Sequence, residues 1–222
     1  MVYSIPKLEK LAFRACDGIE NLDISAPKLT SFSQFCPSSI PRWFTAHLDG
    51  IKYLCLSADL SETAKRAPTF PTARNVQVMK LYRFRFGCER HLKLAIQLLE
   101  KSPNLCTLEI AAEKQEEWID DKEGPSRIFK GPDIINKNLE MLNTVKIEWF
   151  KGSRHEMLFL KALLSKSVAL DKVVVQELRN SHNALALINS RKLLDFPRAS
   201  LKAQIVFMEY NFNYRLIDPP EF

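Results

Sequence analysis

One stretch, S-P-N-L-C-T-L-E-I at residues 102–110, constrains the fold of this 222-residue chain more than any other. Before it, apolar residues at helical spacing predict a helix from about Cys88 to Lys101. Pro103 ends that helix, because its ring lacks an N–H and restricts the preceding residue. Leu108 and Ile110 lie two residues apart, so they point to one face of a strand. Such a helix–turn–strand unit cannot bury its apolar face alone, and it therefore predicts neighbouring units.

Apolar triplets with the spacing L-x-x-L-x-L recur along the chain and supply those neighbours. They are Leu8/Leu11/Phe13, Ile19/Leu22/Ile24, Ile51/Leu54/Leu56, Val76/Met79/Leu81, Leu105/Leu108/Ile110, Leu142/Val145/Ile147 and Leu170/Val173/Val175. This spacing is typical of the strand of a leucine-rich repeat, and most intervals, at 25 to 37 residues, leave room for a helix. The sequence predicts an α/β fold, an irregular leucine-rich-repeat solenoid with a parallel sheet.

Three helices are predicted on the outside of this sheet. The first has a buried stripe of Leu92, Ala95, Leu98 and Leu99. The second starts at Ser153, which forms a capping box with Glu156, and its stripe is Met157, Leu160, Leu163 and Leu164. The third, from about Ser181 to Leu194, places Ala184, Leu187, Ile188 and Leu194 along one side, and Pro197 blocks its continuation. Residues 31–41 are predicted to form a loop.

Composition favours a folded intracellular protein. Hydrophobic residues make up 46% and charged residues 26% of the chain, which is ordinary for a soluble domain. No apolar run approaches the roughly 18 residues that would span a bilayer, and the charged residues near the N-terminus exclude a signal peptide. The five cysteines include no C-x-x-C pair, so a disulfide framework is disfavoured. We therefore expect a reducing compartment, cytoplasmic or nuclear, and no membrane contact.

The net charge of +6 is unevenly distributed. Between Glu113 and Glu123 there are six acidic residues and two lysines, and the surrounding segment contains two Gly-Pro pairs without clear periodicity. It is therefore predicted to be a long acidic loop at residues 113–133. A basic balance permits contact with nucleic acid. A solvated surface is the usual explanation of such a charge, so protein binding is favoured and a basic nucleic-acid-binding solenoid is the alternative.

Signatures of catalysis and of cofactor binding are absent from the sequence. It contains no phosphate-binding glycine loop, no H-E-x-x-H and no G-x-S-x-G, and its four histidines have no cysteine at metal-ligand spacing. His91 and His155 are expected at helix surfaces. The run K-L-Y-R-F-R-F at residues 80–86 alternates bases with aromatics but lacks the glycines of an RNA-binding strand. We predict neither enzyme activity nor a cofactor or metal.

Two blocks of the chain resemble plant F-box/LRR proteins with a C-terminal FBD domain. The first block is I-P-K-L-E-K-L at residues 5–11, followed by C-D-G-I at 16–19 and L-D-I-S-A-P at 22–27. The second begins with V-K-I-E-W-F-K-G at 145–152 and continues through Glu156, Leu163-Leu164, L-D-K-V-V-V at 170–175, F-P-R-A-S at 196–200 and I-V-F at 205–207. This second block is similar to the whole FBD pattern.

The resemblance implies a division of the chain and a role. Residues 1–112 would form the leucine-rich-repeat region, 113–133 the acidic loop, and 134–222 an FBD-like unit that continues and caps the solenoid. The chain would be the substrate-binding part of a ubiquitin-ligase subunit, with an unidentified protein as its substrate. A Skp-type adaptor would be bound only through an F-box, and no F-box precedes Met1 in this sequence. The chain is therefore expected to be a fragment, a truncated product or a relative without its F-box.

Aligning the triplets also predicts which side chains line the sheet surface opposite the core. Lys80, Glu109 and Lys146 should lie in one row, where alternating charge is a structural feature. The next row contains Ser57, Tyr82, Ala111, Glu148 and Gln176. Because it offers a tyrosine and an unpaired carboxylate, we predict partner binding by Tyr82, Glu148, Ser57 and Gln176. Trp149 and Phe150 are expected to anchor the core.

Overall fold

The described part of the chain forms an eight-stranded sheet in which all neighbouring strands are parallel. The computed structural model describes residues 2–16, 22–35, 44, 47–59, 70–113, 134–177, 188 and 191–209. The strands within them are β1 (Val2–Ser4), β2 (Lys10–Phe13), β3 (Asp23–Ser25), β4 (Ser31–Gln34), β5 (Tyr53–Ser57), β6 (Val78–Phe84), β7 (Thr107–Ala112), β8 (Thr144–Phe150), β9 (Lys172–Glu177) and β10 (Gln204–Glu209). The helices are α1 (Glu89–Lys101) and α2 (Arg154–Lys166), with a short 3-10 helix at Leu48–Gly50.

The order of strands in the sheet is β10-β9-β8-β7-β6-β5-β4-β2. Neighbours in space follow the chain order except at β3, which pairs with β1 in a separate two-stranded sheet. The α/β class and the parallel sheet are therefore confirmed, and the architecture is compatible with a leucine-rich-repeat-like fold. The predicted domain boundaries at residues 112 and 133 stay predictions.

The same backbone turn precedes every strand of the main sheet. In each turn the N–H of the fourth residue donates to the carbonyl of the first, at 3.0–3.4 Å. The turns lie at residues 5–8, 26–29, 48–51, 73–76, 102–105, 139–142, 167–170 and 200–203. The fourth residue is the first member of a triplet in six of them, which explains the L-x-x-L-x-L spacing.

The core lies between one face of this sheet and the helices. Strand residues such as Leu54, Met79, Leu108 and Val145 are fully buried there. The predicted stripes of α1 and α2 pack against them, with Leu92, Ala95, Leu98 and Leu99 from α1 and Met157, Leu160, Leu163 and Leu164 from α2. Both helices are confirmed, as is the capping box at Ser153.

Two predictions for the first part of the chain are wrong. Residues 31–34 were expected in a loop but form β4, with Phe32 and Gln34 both fully buried. Leu29, Phe32 and Gln34 have the spacing of a triplet, and the polar Gln34 occupies its last core position. A search for apolar residues at this spacing therefore misses it. The triplet Ile19/Leu22/Ile24 does not belong to the main sheet, because Ile24 lies in β3; Ile19 is outside the described residues.

The third predicted helix falls largely outside the described residues. Ile188 and residues 191–194 are helical. The predicted stripe is wrong at both of its described members, because Ile188 and Leu194 are about half exposed whereas Leu193 is buried. The acidic loop likewise lies outside the described residues except for Glu113. None of the helices in the described ranges is both long and apolar enough to cross a membrane.

Strands β6 and β8 share an irregularity that turns aromatic side chains into the core. Arg83 and Trp149 both have left-handed backbones, with φ of 51° and 60°, and the register with the next strand shifts at these points. Strict alternation would place the residue after each of them on the face opposite the core. The shift instead buries Phe84 and Phe150. The expectation that Trp149 and Phe150 anchor the core is confirmed, since both are buried.

Candidate functional site: the open face of the sheet

The open face is the surface formed by strand side chains that point away from the core. Its centre comprises Tyr53, Cys55 and Ser57 on β5, Lys80 and Tyr82 on β6, Glu109 and Ala111 on β7, Lys146 and Glu148 on β8, and Val174 and Gln176 on β9. The parallel pairing places these residues in cross-strand rows, as the triplet alignment predicts. The open face therefore contains all four side chains that were predicted from the sequence to bind a partner.

The central row contains a charged ladder. Lys80 lies opposite Glu109, and Glu109 lies opposite Lys146. The Lys80 ammonium contacts the Glu109 carboxylate at 2.7 Å. Burial acts to lower the pKa of Lys80, but the hydrogen bond and the charge of Glu109 outweigh it and raise that pKa. The predicted row of alternating charge is therefore confirmed, and its first pair is already satisfied within the sheet.

The second row does not have the unpaired carboxylate that was predicted. Glu148 lies opposite Ala111 on one side and Gln176 on the other, as expected. However, its carboxylate accepts a hydrogen bond from the Lys146 ammonium two residues earlier on the same strand. The prediction failed because it paired Lys146 only with Glu109 on the neighbouring strand. Lys146 is also within reach of Glu148 on its own strand, and it bonds to Glu148. Glu148 presents a compensated charge.

Tyr82 is held in place on this row by a neighbouring ring. Its side chain is half-buried and packs edge-on against Phe35, with ring centroids 5.3 Å apart. Burial raises the pKa of its hydroxyl, so the phenol stays neutral at physiological pH. The opposite residue on β5, Ser57, is only 3% exposed, and its hydroxyl accepts from the Asp59 N–H. Tyr82 is thus the more accessible of this pair, and the binding roles of both stay predictions.

A charged cluster at the carboxyl end of the strands lies beside Tyr82 and was not predicted. The Arg83 guanidinium contacts Asp59 at 2.9 Å and Glu113 at 3.2 Å, and Arg85 reaches Glu113 at 3.5 Å. The Arg83 side chain remains 64% exposed despite both contacts. Its left-handed backbone aims it across the strand ends, and no sequence pattern signals that conformation in an arginine. The cluster joins β5, β6 and β7 at one rim of the open face.

Cys55 lies on β5 opposite Lys80, in the central row of the open face. It is fully buried, and burial raises the pKa of its thiol to about 12. The thiolate, which is the reactive form, is therefore negligible at neutral pH. Among the described residues, no group of three or more His, Cys, Asp or Glu side chains is placed to bind a metal ion.

His91 and Arg198 both have structural contacts. His91 was expected at the helix surface, which is wrong: it is fully buried, and its Nδ1 accepts from the Arg85 N–H at 3.0 Å. Arg198 donates to the carbonyl oxygens of Leu194 and Ala203, at 3.1 and 2.9 Å. It thereby joins the end of the helical residues 191–194 to the turn before β10.

Aromatics within the run at residues 80–86 are explained by packing. Phe84 and Phe86 are buried and pack edge-on with their ring centroids 4.8 Å apart. Phe86 also packs against Phe159 of α2, at 5.6 Å. Only Tyr82 of the three aromatics lies on the open face. The alternation of bases and aromatics therefore does not create a row of stacking rings on this surface.

Comparison with known proteins finds a distant relative of this chain. The chain is similar to an F-box/FBD/LRR-repeat protein of Arabidopsis thaliana, with 26% identity over 162 residues. The match covers 73% of this chain and 38% of the relative. No protein-family model matches the chain, and no solved structure matches it significantly. The similarity supports, at most, a relationship to plant F-box/FBD/LRR-like proteins, and the relative's name is consistent with a protein-interaction role for this chain.

Proposed function

We propose that this chain is a protein-recognition module, the substrate-binding part of an F-box-type ubiquitin-ligase subunit. Its open face would bind the protein substrate, and other subunits would supply catalysis. The sheet with its outer helices would be an irregular leucine-rich-repeat solenoid. Adaptor binding would belong to an F-box outside residues 1–222. The distant relative and the parallel sheet support this proposal.

The observation that carries the proposal is the arrangement around Tyr82. A half-buried tyrosine, fixed by Phe35, stands next to the exposed guanidinium of Arg83. Tyrosine and arginine are enriched at the residues that dominate protein–protein affinity. Both are held in place before binding, which reduces the entropy lost when a partner docks. This part of the open face is therefore suited to recognition of a protein surface.

The charges of the open face favour protein over nucleic acid. Nucleic-acid affinity depends on cations that neutralise phosphates. Lys80 is paired with Glu109, and Lys146 is hydrogen-bonded to Glu148, so the central rows carry no excess positive charge. The basic net charge of the chain is thus not concentrated on this surface. A nucleic-acid-binding solenoid remains the alternative outcome of the experiment.

The experiment compares affinity capture by wild type and by the double variant Tyr82→Ala/Glu148→Ala. We expect the double variant to stay folded but to lose specifically captured proteins, with a melting temperature lowered only by the loss of the partly buried Tyr82 ring and its contact with Phe35. Lys93→Ala is the control, since Lys93 lies exposed on α1, on the opposite side of the sheet from the open face. Equal capture by the double variant would place recognition on another surface. Steeply salt-dependent binding of random RNA or DNA would instead support the alternative.

A further inference from the structure

A groove on the helix side of the sheet separates α2 from the C-terminal helical segment, defined here as residues 191–194. It is open to solvent and has a volume of about 520 Å³. Its floor is apolar and consists of Met157, Leu158 and Phe196. A volume of this size is within the range of small-ligand and peptide-anchor pockets. The groove lies on the opposite side of the sheet from the open face.

Both walls of this groove are fixed to the core. The capping box at Ser153 sets the start of α2, and Leu160 and Leu164 bury the inner side of that helix. The other wall is anchored by Leu193, which is buried, and by the hydrogen bond from the Ala199 N–H to the Leu164 carbonyl. Arg198 fixes the end of the same wall through its bond to Leu194. A ligand would therefore meet a preformed groove.

Three cations surround the apolar floor. Arg154, Lys161 and Lys192 are exposed, and within the described ranges none of them has an ion-pair partner. Asp195 is the one acidic residue among the lining residues, so the groove carries a local charge of about +2 at neutral pH. Arg154 is also the first residue of α2, where the helix dipole disfavours a positive charge. Its charge is thus not explained by the stability of its own helix.

The spacing of two of these cations sets a length scale. Arg154 and Lys161 are seven residues apart on α2, so they lie two turns apart on one side, at about 10 Å. A peptide in the polyproline II conformation has three residues per turn and rises about 3.1 Å per residue, so carboxylates three positions apart lie on one side and match this distance. An intervening side chain on the adjacent row would then lie over Met157 and Leu158.

We propose that this groove binds a short acidic peptide segment of a partner protein, with two carboxylates flanking two apolar residues. The cations would pair with the carboxylates, and the floor would bury an apolar side chain between them. This site goes beyond the proposed recognition by the open face and does not depend on it. A flat bilayer surface would meet the cations but would not reach the floor of a groove. Asp195 would repel the continuous phosphates of a nucleic acid.

The test is a fluorescence anisotropy titration of the whole chain with the peptide Gly-Ser-Glu-Leu-Leu-Glu-Gly-Ser carrying fluorescein. Two matched peptides replace both glutamates by lysines or both leucines by serines. The variant Lys161→Glu/Lys192→Glu reverses the groove charge. The control Lys7→Glu/Lys28→Glu changes the net charge equally at two exposed lysines in the first part of the chain.

We expect the acidic apolar peptide to bind wild type and the control variant equally, and the groove variant roughly tenfold or more weakly. Both matched peptides should lose binding, and high salt should weaken it. Absence of binding to wild type, or equal binding to the groove variant, would overturn the proposal. So would tighter, groove-dependent binding of a uridine 12-mer or of phosphatidylserine vesicles. Because Tyr82 and Glu148 are unchanged, failure here leaves the proposed function of the open face unaffected.

Discussion

His91 and Glu156 occupy the same place in two helix–strand units of the sheet. Each is the third residue of its helix and is buried. The side chain of each accepts a hydrogen bond from a backbone N–H near the end of the preceding strand. The donor lies two residues after the left-handed residue of that strand, Arg83 or Trp149. That donor is Arg85 for His91 and Lys151 for Glu156. A neutral imidazole and a carboxylate thus perform one structural task. They differ in how they respond to pH.

His91 should make the stability of the protein depend on pH. Burial, followed by the charges of Arg85 and Arg83, lowers the pKa of His91 to about 4. In the unfolded chain the imidazole of His91 is protonated below about pH 6.5, whereas in the folded protein it stays neutral down to about pH 4. Proton uptake therefore favours the unfolded state between these values. The folded protein keeps its full stability above about pH 6.5 and loses stability as the pH falls towards about 4. The full effect would be roughly 3 kcal/mol. Chemical denaturation between pH 4 and 7 checks this, and His91→Asn should flatten the slope in that window. If the free energy of unfolding of the variant depends on pH as strongly as that of wild type, other groups cause the pH dependence.

The capping box of α2 should show a graded loss of stability. Ser153→Ala removes the bond from the Glu156 N–H to the serine hydroxyl, which we expect to cost about 1 kcal/mol. Glu156→Ala removes the acceptor of two backbone donors, Ser153 and Lys151, and leaves both partly buried N–H groups without it. We therefore expect a larger loss for it, roughly 2–3 kcal/mol. Thermal unfolding of both variants decides the order, and the reverse order would show that the serine hydroxyl contributes more than the carboxylate.

The charged ladder of the open face should tolerate neutralisation better than reversal. Glu109→Lys would place three like charges in one row with Lys80 and Lys146. Each attractive cross-strand pair is worth roughly 0.2–1 kcal/mol, and a like-charged pair is unfavourable by a similar amount. We expect Glu109→Lys to lower the melting temperature clearly and Glu109→Gln to lower it less. Equal melting temperatures for the two variants would mean that the row contributes no measurable electrostatic stability.

A short ladder of asparagines at the amino end of the strands can be extended. Asn75 and Asn104 each occupy the third position of the turn before their strand. The Asn75 side-chain amide donates to the carbonyl of Asp49, and that of Asn104 donates to the carbonyl of Arg74. Each acceptor is the second residue of the preceding turn. Met141 holds the same position in the next turn and is half exposed. We expect Met141→Asn to add a bond to the Pro103 carbonyl and to stabilise the protein by roughly 0.5–1.5 kcal/mol. Urea denaturation measures this, and Met141→Ala controls for loss of the methionine. If Met141→Asn is no more stable than Met141→Ala, the expected hydrogen bond to the Pro103 carbonyl does not form.

The regular part of this fold was predictable because it repeats. Each triplet marks one turn and one strand, so aligning triplets reproduced the register of Lys80 with Glu109 and of Glu109 with Lys146. The helices α1 and α2 followed from their apolar stripes and from the serine and glutamate of the capping box. Where local signals and packing agree, sequence reasoning places the side chains of the open face correctly.

The remaining errors arise where one residue departs from its usual behaviour. Gln34 is polar in a core position, which hid β4, and His91 is buried as a hydrogen-bond acceptor. The left-handed backbones of Arg83 and Trp149 leave no signature in residue type, although they decide where Phe84 and Phe150 point. The Arg83 cluster depends on this geometry and on contacts between residues 24 and 30 positions apart. Only the folded chain reveals it.

Site-specific photocrosslinking tests the central claim, that the open face is the recognition surface. A benzophenone amino acid replaces Tyr82 in one protein and Lys93, exposed on α1, in another. Both proteins are irradiated in the same plant extract, and covalent adducts are identified by mass spectrometry. We expect specific protein adducts at position 82, competed by unlabelled wild type, and none of these adducts at position 93. Adducts of the same proteins at position 93, with none at position 82, would contradict recognition by the open face.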